Sequence, residues 1–295
     1  MVTFIGAVIN GIALGMAYAL IAVGYSLVFG ILRLINFAHG SIYAFGAYMV
    51  YLFVSLEFGF IPSVIFAVLL SGALAFLMDK ITLEPLRKKN SDTIAYLITT
   101  VGVSFVITNI LSLESVFGST KRLFPSTNLF GSIHIGNLTI QSSQIIMFAA
   151  ALIIMGIMTF VVNKTKIGLS MRAVQQNGKA ARLVGVNVNQ VISFTFFLGG
   201  ASAAIAGALI NGYYQSISPT MGTTIGLKAF AAAVVGGIGI LHGSIVGGLV
   251  VGIGECIAAQ YLGSNVRDPM AFVILIVILL IKPNGLFGKK GITKV

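Results

Sequence analysis

Two charged residues stand inside strongly apolar runs of the chain, where an ionisable side chain is costly and so points to function. Lys228 lies in Ile225–Leu241, and Glu255 lies in Ile245–Leu262. The pair could line a polar path or gate between lipid-facing helices. It could equally form an ion pair that only fixes helix packing, and Lys228 is close enough to the end of its run to extend its ammonium to an interface. The residues alone leave these roles open.

Other patterns that carry chemistry are few. Polar residues near predicted helix breaks complete the candidate pathway or gate set, which is Asn36, His39, Lys228, His242 and Glu255. The chain has no HExxH, GxSxG or P-loop pattern. Cys256 is the only cysteine, which excludes a disulfide framework and a multi-cysteine metal site. We therefore expect no catalytic site, no metal and no cofactor, and any ATPase that drives the protein must be another chain.

The composition identifies the solvent that surrounds these residues. Hydrophobic residues make up 57% of the 295 residues and charged residues only 8%, whereas soluble proteins carry about a quarter charged residues. Too little polar surface exists to coat a water-facing globule. The sequence predicts an all-α fold: one polytopic membrane helix bundle that occupies residues 1–295 as a single domain.

About 20 apolar residues are needed for a helix to cross the hydrocarbon core. This rule predicts about eight or nine spans, because the glycine-broken seventh segment could be re-entrant. A membrane β-barrel is excluded because the runs do not alternate between polar and apolar residues. The predicted segments are Phe4–Phe29, Phe37–Leu56, Ile61–Met78, Ile94–Leu113, Ile145–Val162, Val191–Ile210, Ile225–Leu241, Ile245–Leu262 and Met270–Ile281.

The net charge of +11 reports orientation in a membrane rather than binding of nucleic acid, because the cations lie between the apolar runs. Lys and Arg are concentrated in cytoplasmic segments of membrane proteins. This rule places the N-terminus outside, the tail inside, and lipid around the bundle. The predicted cytoplasmic cations are Arg33, those of Lys80–Lys89 and Lys164–Arg182, and Lys282, Lys289, Lys290 and Lys294.

A weak internal repeat is also present. His39–Ile42 recurs as His242–Ile245, and each tetrad is followed by a segment that begins near a proline and by a Pro-containing stretch that ends in a lysine pair. The predicted orientation gives both units the same direction. The sequence therefore predicts a parallel repeat of units 1–90 and 205–290.

The longest basic loop, Lys164–Asn189, is a candidate docking surface. Met171–Leu183 is predicted to form a short helix whose weak point is Asn177-Gly178. Charge alone does not separate this hypothesis from a solvated loop that serves only topology.

At this loop the sequence resembles a known family. Lys179–Gly185 is similar to the EAA-x3-G coupling loop of bacterial ABC importer permeases, with Lys179 where Glu is typical. Further stretches resemble the LivH-type permeases of branched-chain amino acid ABC transporters, a pattern that urea and short-amide permeases share. These stretches are Asn10-Gly11 and the run after it, Asn36–Gly40, Arg172–Gly185, Gly226–Phe230, Gly236–Gly239 and Lys282–Gly288.

The resemblance implies a multi-pass permease subunit of the bacterial inner membrane that transports branched-chain amino acids. Its implied partners are a homologous permease chain (a heterodimer), two cytoplasmic ABC ATPase subunits and an extracytoplasmic solute-binding protein. It also implies that the loop transmits the motion of the ATPases through Arg172, Asn177, Lys179, Ala180, Ala181 and Gly185. The alternatives are a urea or amide permease, an independent carrier or channel, and, least favoured, an intramembrane enzyme.

Overall fold

The computed structural model describes residues 2–127, 131–135 and 138–288. A π-helical segment, Asp79–Leu83, joins the third and fourth helices, and a 3-10 turn, Ser264–Val266, precedes the last. The α-helices are α1 Val2–Leu32, α2 His39–Ser55, α3 Phe60–Met78, α4 Glu84–Lys88, α5 Thr93–Ser112, α6 Ser142–Lys164, α7 Lys166–Leu183, α8 Val188–Tyr214, α9 Met221–Gly236, α10 Leu241–Leu262 and α11 Arg267–Ile281.

Short antiparallel strands occur only between helices in the described part of the chain. Strand β1 (Arg122–Leu123) pairs with β4 (Ser216–Ile217), and β2 (Ser132–Ile135) pairs with β3 (Leu138–Gln141). The predicted polytopic helix bundle is therefore confirmed.

Within the described ranges, seven helices are long and apolar enough to cross a membrane: α1, the continuous α3–α4 helix, α5, α6, α8, α10, and α11 with its 3-10 turn. The helices α2 and α9 are shorter, with 17 and 16 residues. The predicted segment Ile225–Leu241 is wrong in its C-terminal boundary. The helix ends at Gly236, Gly237 adopts a positive φ of 106°, and Leu241 already begins α10. The number of spans stays a prediction.

The helices α1 and α8 form the centre of the bundle. In the most apolar window of α1, 89% of the residues are buried, and in that of α8 the share is 78%. The corresponding shares are 28% for α3 and α6, 22% for α5 and only 6% for α11. The outer helices therefore present apolar faces to lipid or to other membrane chains, since they would not be stable in water.

Glycines allow α1 and α10 to pack almost backbone to backbone. A Cβ built on Gly15 would lie 2.8 Å from the carbonyl oxygen of Gly248, and a Cβ on Gly11 would lie 2.5 Å from the Cα of Ile253. Lipid supplies no hydrophobic drive for this association, so close van der Waals contact must hold the two helices together.

Gly248→Ala is expected to destabilise the bundle, because the new Cβ would lie 2.6 Å from the backbone nitrogen of Ala19. Overpacking of this kind costs about 1–3 kcal/mol. The thermal unfolding midpoint of the purified protein in detergent checks the prediction. Gly156→Ala is the matched control, because among the described residues nothing lies within 4 Å of the place that its new Cβ would take. Equal midpoints for the two variants would contradict the packing role.

The basic segments of the chain lie at one end of the bundle, called here the basic end. A Cβ built on Gly30, near the end of α1, would lie 3.1 Å from Nε2 of Gln175 in α7 and 3.5 Å from the carbonyl oxygen of Gly239 before α10. The segment after α11 reaches the same end, where Leu286 donates its backbone N–H to Val235. The predicted cytoplasmic lysines Lys289, Lys290 and Lys294 lie outside the described residues.

Both copies of the repeated tetrad lie at the start of a helix. His39 is the first residue of α2, and His242 is the second residue of α10. Their environments differ, because His39 is 2% exposed whereas His242 is exposed at the basic end. The parallel repeat of units 1–90 and 205–290 stays a prediction.

Candidate functional site

The two charged residues that stand out in the sequence form one buried cluster. The Nζ of Lys228 lies 2.9 Å from Oε1 of Glu255 and 2.6 Å from Oδ1 of Asp268. The Nε of Arg267 lies 2.7 Å from the same Oε1, and the hydroxyl of Tyr18 donates to it at 3.3 Å. The cluster therefore joins α1, α9, α10 and the start of α11.

Burial makes these ion pairs energetically costly to break. The side chain of Lys228 is 4% exposed and that of Glu255 is 0% exposed. The ammonium of Lys228 is therefore paired with Glu255 inside the bundle. The role of the two residues in a pathway or gate stays a prediction. Since an uncompensated buried charge is strongly unfavourable, Lys228 and Glu255 depend on each other, whereas the side chain of Asp268 is 62% exposed.

The cluster lines a cavity of about 410 Å³ at the end of the bundle opposite to the basic end. We call this space the charged cavity. Three cations (Lys121, Lys228 and Arg267) and two anions (Glu255 and Asp268) border it, together with polar groups that include Tyr18, Asn211, Tyr214 and Ser218. The cavity is open to the surface and can bind a small polar molecule, because it offers both signs of charge side by side.

Sequence reasoning missed Tyr18, Arg267 and Asp268 as members of the cluster. Tyr18 is an ordinary residue within an apolar run, and its partner Glu255 is 237 residues away. The adjacent Arg267 and Asp268 precede an apolar helix and could have been noticed as unusual outside the basic segments.

The candidates Asn36 and His39 lie elsewhere, at the break before α2. The Oδ1 of Asn36 accepts a hydrogen bond from the backbone of Ala38, which shapes this turn. The ring of His39 meets the ring of Tyr25 edge-on at 4.5 Å, and its Nε2 has no hydrogen-bond partner among the described residues. Of the five candidate pathway residues, the structure brings only Lys228 and Glu255 together.

The predicted docking loop contains α7, which is two helical pieces. The backbone of Asn177 is extended (φ −158°, ψ 102°), so the helix breaks where the sequence has its weak point. The Oδ1 of Asn177 accepts hydrogen bonds from the backbone N–H groups of Lys179 and Ala180. Asn177 therefore acts as the N-cap of a separate second piece.

The other predicted coupling residues have different surroundings. Arg172 donates to the backbone carbonyls of Val162 and Asn163 at 2.9 and 2.8 Å, which anchors α7 on the end of α6. Ala181 is 3% exposed and packs inward. Lys179 and Ala180 are exposed.

Gly185 ends the second helical piece. Its φ is 86°, its N–H bonds to Arg182, and the N–H of Val186 bonds to Ala181. This pattern is a Schellman motif, which favours glycine because the left-handed conformation is strained for other residues. Two large apolar side chains next to it are exposed in the described chain, Leu183 at 89% and Val184 at 79%.

A second buried ion pair lies near the basic end and was not predicted. Asp79 is 0% exposed and accepts bonds from both guanidinium arms of Arg87, at 2.5 and 3.0 Å. The hydroxyl of Ser193 also donates to Asp79 at 2.6 Å. The contact ties the end of α3 to the beginning of α8, the helix that leaves the docking loop.

The fold and these sites define the class of the protein, a polytopic helical membrane permease. The model of the family described as "Branched-chain amino acid transport system / permease component" matches residues 7–281. The chain therefore belongs to the family of permease components of branched-chain amino acid transport systems.

Curated relatives match the chain over nearly its whole length. BraD of Pseudomonas aeruginosa and LivH of Escherichia coli are both named high-affinity branched-chain amino acid transport system permease proteins and are 34% identical to this chain. The BraD alignment covers 97% of this chain and 96% of BraD, and the LivH alignment covers 99% and 98%. The probable LivH of Methanocaldococcus jannaschii is 30% identical, with 91% and 88% covered.

These findings confirm the resemblance seen in the sequence. The chain is a multi-pass transport permease of the bacterial inner membrane and not an enzyme, because the family consists of transport permeases. The hypothesis of an intramembrane enzyme is therefore wrong.

Proposed function

We propose that this chain forms part of the translocation path of an ATP-driven importer of branched-chain amino acids and receives the motion of the ATPases through α7. The names of its relatives support the substrate class. In this assembly a homologous permease chain completes the path. Two ATPase subunits bind at the basic end, and a solute-binding protein docks at the opposite end.

The observation that carries this proposal is the exposed second piece of α7. Leu183 and Val184 offer apolar surface beside the exposed cation Lys179, at the basic end of the bundle, which is predicted to be cytoplasmic. An exposed apolar patch with a polar rim is typical of a protein interaction surface. Arg172 holds the other end of α7 on α6, so a displacement of α7 is transmitted to the bundle.

The motion needs two packed states of similar free energy between which ATP binding shifts the population. Helix α7 is connected directly to the end of α6 and to the beginning of α8. It begins one residue after α6, and the hydrogen bond from Ser193 to Asp79 links the beginning of α8 to α3. A movement of α7 is thus conveyed to α3, α6 and α8 together.

Uptake by the whole reconstituted complex tests the proposal. Proteoliposomes that contain this chain, its copurified permease partner and the ATPases, supplied with the binding protein, are expected to accumulate L-leucine only with ATP inside. Urea and acetamide should not compete. Competition by either of them would assign the chain to the amide branch, and uptake by the purified chain alone under an ion gradient would establish the independent carrier.

A further inference from the structure

We propose that the charged cavity is a binding site for the transported molecule, in which Glu255 holds the α-ammonium and Lys121 holds the α-carboxylate of an amino acid. This inference rests on the proposed function. Each charge of the zwitterion has its own partner in this site. A pathway for a neutral amide does not need such a pair of opposite charges.

The first observation is an incomplete set of hydrogen bonds at Glu255. Lys228, Arg267 and Tyr18 all bond to its Oε1. The other oxygen, Oε2, is buried and has no hydrogen-bond partner among the residues that the structure describes. A buried carboxylate oxygen without a donor is unfavourable. A ligand ammonium, with three N–H donors, would satisfy it.

The second observation is a cation that remains after the cavity charges are paired. Lys228 bonds to both Glu255 and Asp268, and Arg267 bonds to Glu255. Lys121 also borders the cavity, and no ion pair of Lys121 occurs within the described part of the chain. An unpaired acceptor and an unpaired cation on one cavity complement a molecule that carries one charge of each sign.

The cavity also has a place for an aliphatic side chain. Met221 and Ile225 of α9 border it and are four residues apart, so they lie on the same face of the helix. A volume of about 410 Å³ falls in the range of small-molecule sites. The lining therefore combines an unpaired carboxylate oxygen and an unpaired cation with a short apolar wall, which fits an amino acid with an aliphatic side chain.

Binding requires the cluster to open, because Oε2 of Glu255 is buried in this state. The contacts to be loosened are ion pairs between α9, α10 and α11, formed by Lys228, Glu255, Arg267 and Asp268. An incoming ammonium can then bind Oε2 of Glu255 while the ligand carboxylate binds Lys121. Both charges of the ligand are thereby paired, so binding avoids the penalty of an uncompensated buried charge.

The test measures equilibrium binding to the assembled permease–ATPase complex in nanodiscs without the binding protein, so that the signal comes from the membrane subunits. The probes are L-leucine, 4-methylpentanoate, which lacks the ammonium, and 3-methylbutylamine, which lacks the carboxylate. The complex with the natural chain is expected to bind L-leucine about tenfold or more tighter than either analogue, since a hydrogen bond to a charged group has about that effect.

Two variants are expected to lose different halves of this preference. Glu255→Gln should bind L-leucine and 4-methylpentanoate about equally, because the partner of the ammonium is gone, and should still prefer L-leucine to 3-methylbutylamine. Lys121→Met should show the opposite pattern. Glu114→Gln and Lys89→Met are matched controls, since both residues are exposed and outside the cavity. Both controls are expected to keep both preferences.

Because Lys121 is exposed, Lys121→Met is expected to fold and assemble normally. It therefore tests the binding site even if Glu255→Gln fails to assemble. Unchanged preferences in Lys121→Met would overturn the site, as would absence of L-leucine binding to the natural complex. ATP-driven uptake of L-leucine with the binding protein separates failure of the cavity proposal from failure of the proposed importer function. Normal uptake together with either of these negative results refutes the cavity and leaves the proposed function intact, whereas absence of uptake refutes the importer itself.

Discussion

Leu183→Asp is expected to abolish ATP-driven uptake while the chain still inserts and assembles with its permease partner. The side chain of Leu183 is 89% exposed, so the substitution removes no packing within the described chain. An aspartate at this position would place a desolvated charge in the interface with an ATPase subunit. The loss of a central apolar anchor in an interface costs about 2 kcal/mol or more.

The measurement is leucine uptake in proteoliposomes, read beside copurification of the ATPases and the thermal midpoint of the permease. Leu183→Met is the matched control, because it keeps an apolar side chain of similar size. We expect near-normal uptake for Leu183→Met and no measurable uptake for Leu183→Asp. Normal uptake by Leu183→Asp with the ATPases retained would show that this part of α7 is not the coupling surface.

The second large effect is expected at the buried ion pair near the basic end. Asp79→Ala should lower the free energy of unfolding by about 3–5 kcal/mol, because Arg87 would be left without its carboxylate partner. The side-chain exposure is 0% for Asp79 and 12% for Arg87, so water can compensate for little of the loss. Thermal and denaturant unfolding of the purified permease measure the change.

The pair of variants Asp79→Ala and Asp79→Leu/Arg87→Met separates the ion pair from simple packing. The double variant removes both charges and should recover most of the lost stability. Lys80→Met is the matched surface control: Lys80 pairs with Glu84 at 2.8 Å but is 32% exposed, so a loss of at most about 1 kcal/mol is expected. An Asp79→Ala variant as stable as Lys80→Met would contradict this account.

The two predictions concern the same series of contacts, which leads from α7 through α8 to α3 and α4. Leu183 lies at the end of α7, and α8 begins at Val188, five residues later. Ser193 on α8 donates to Asp79, whose ion pair with Arg87 closes the connection to α3 and α4. Uptake loss without stability loss at Leu183, together with stability loss at Asp79, would separate the contact with the ATPases from the rigid support behind it.

The class of fold, the approximate helix positions and the family are all readable from the amino-acid sequence. These properties depend on runs of adjacent residues. An apolar run of about 20 residues must satisfy its backbone hydrogen bonds within itself when lipid surrounds it, so helices follow directly from composition. The break at Asn177 and the coupling-loop resemblance of Lys179–Gly185 are local patterns of the same kind.

Which polar groups meet depends on how the helices pack in three dimensions. Lys228 and Glu255 were candidates from the sequence, but Tyr18, Arg267 and Asp268 were found only where four helices converge. Arg87 belongs to the basic segment Lys80–Lys89 in the sequence, and the structure pairs it with the buried Asp79. The physical reason is that the position of a charge in the chain fixes its helix and its approximate depth, whereas its partner depends on how the helices are rotated and packed. Close packing through residues such as Gly15 and Gly248 sets that arrangement.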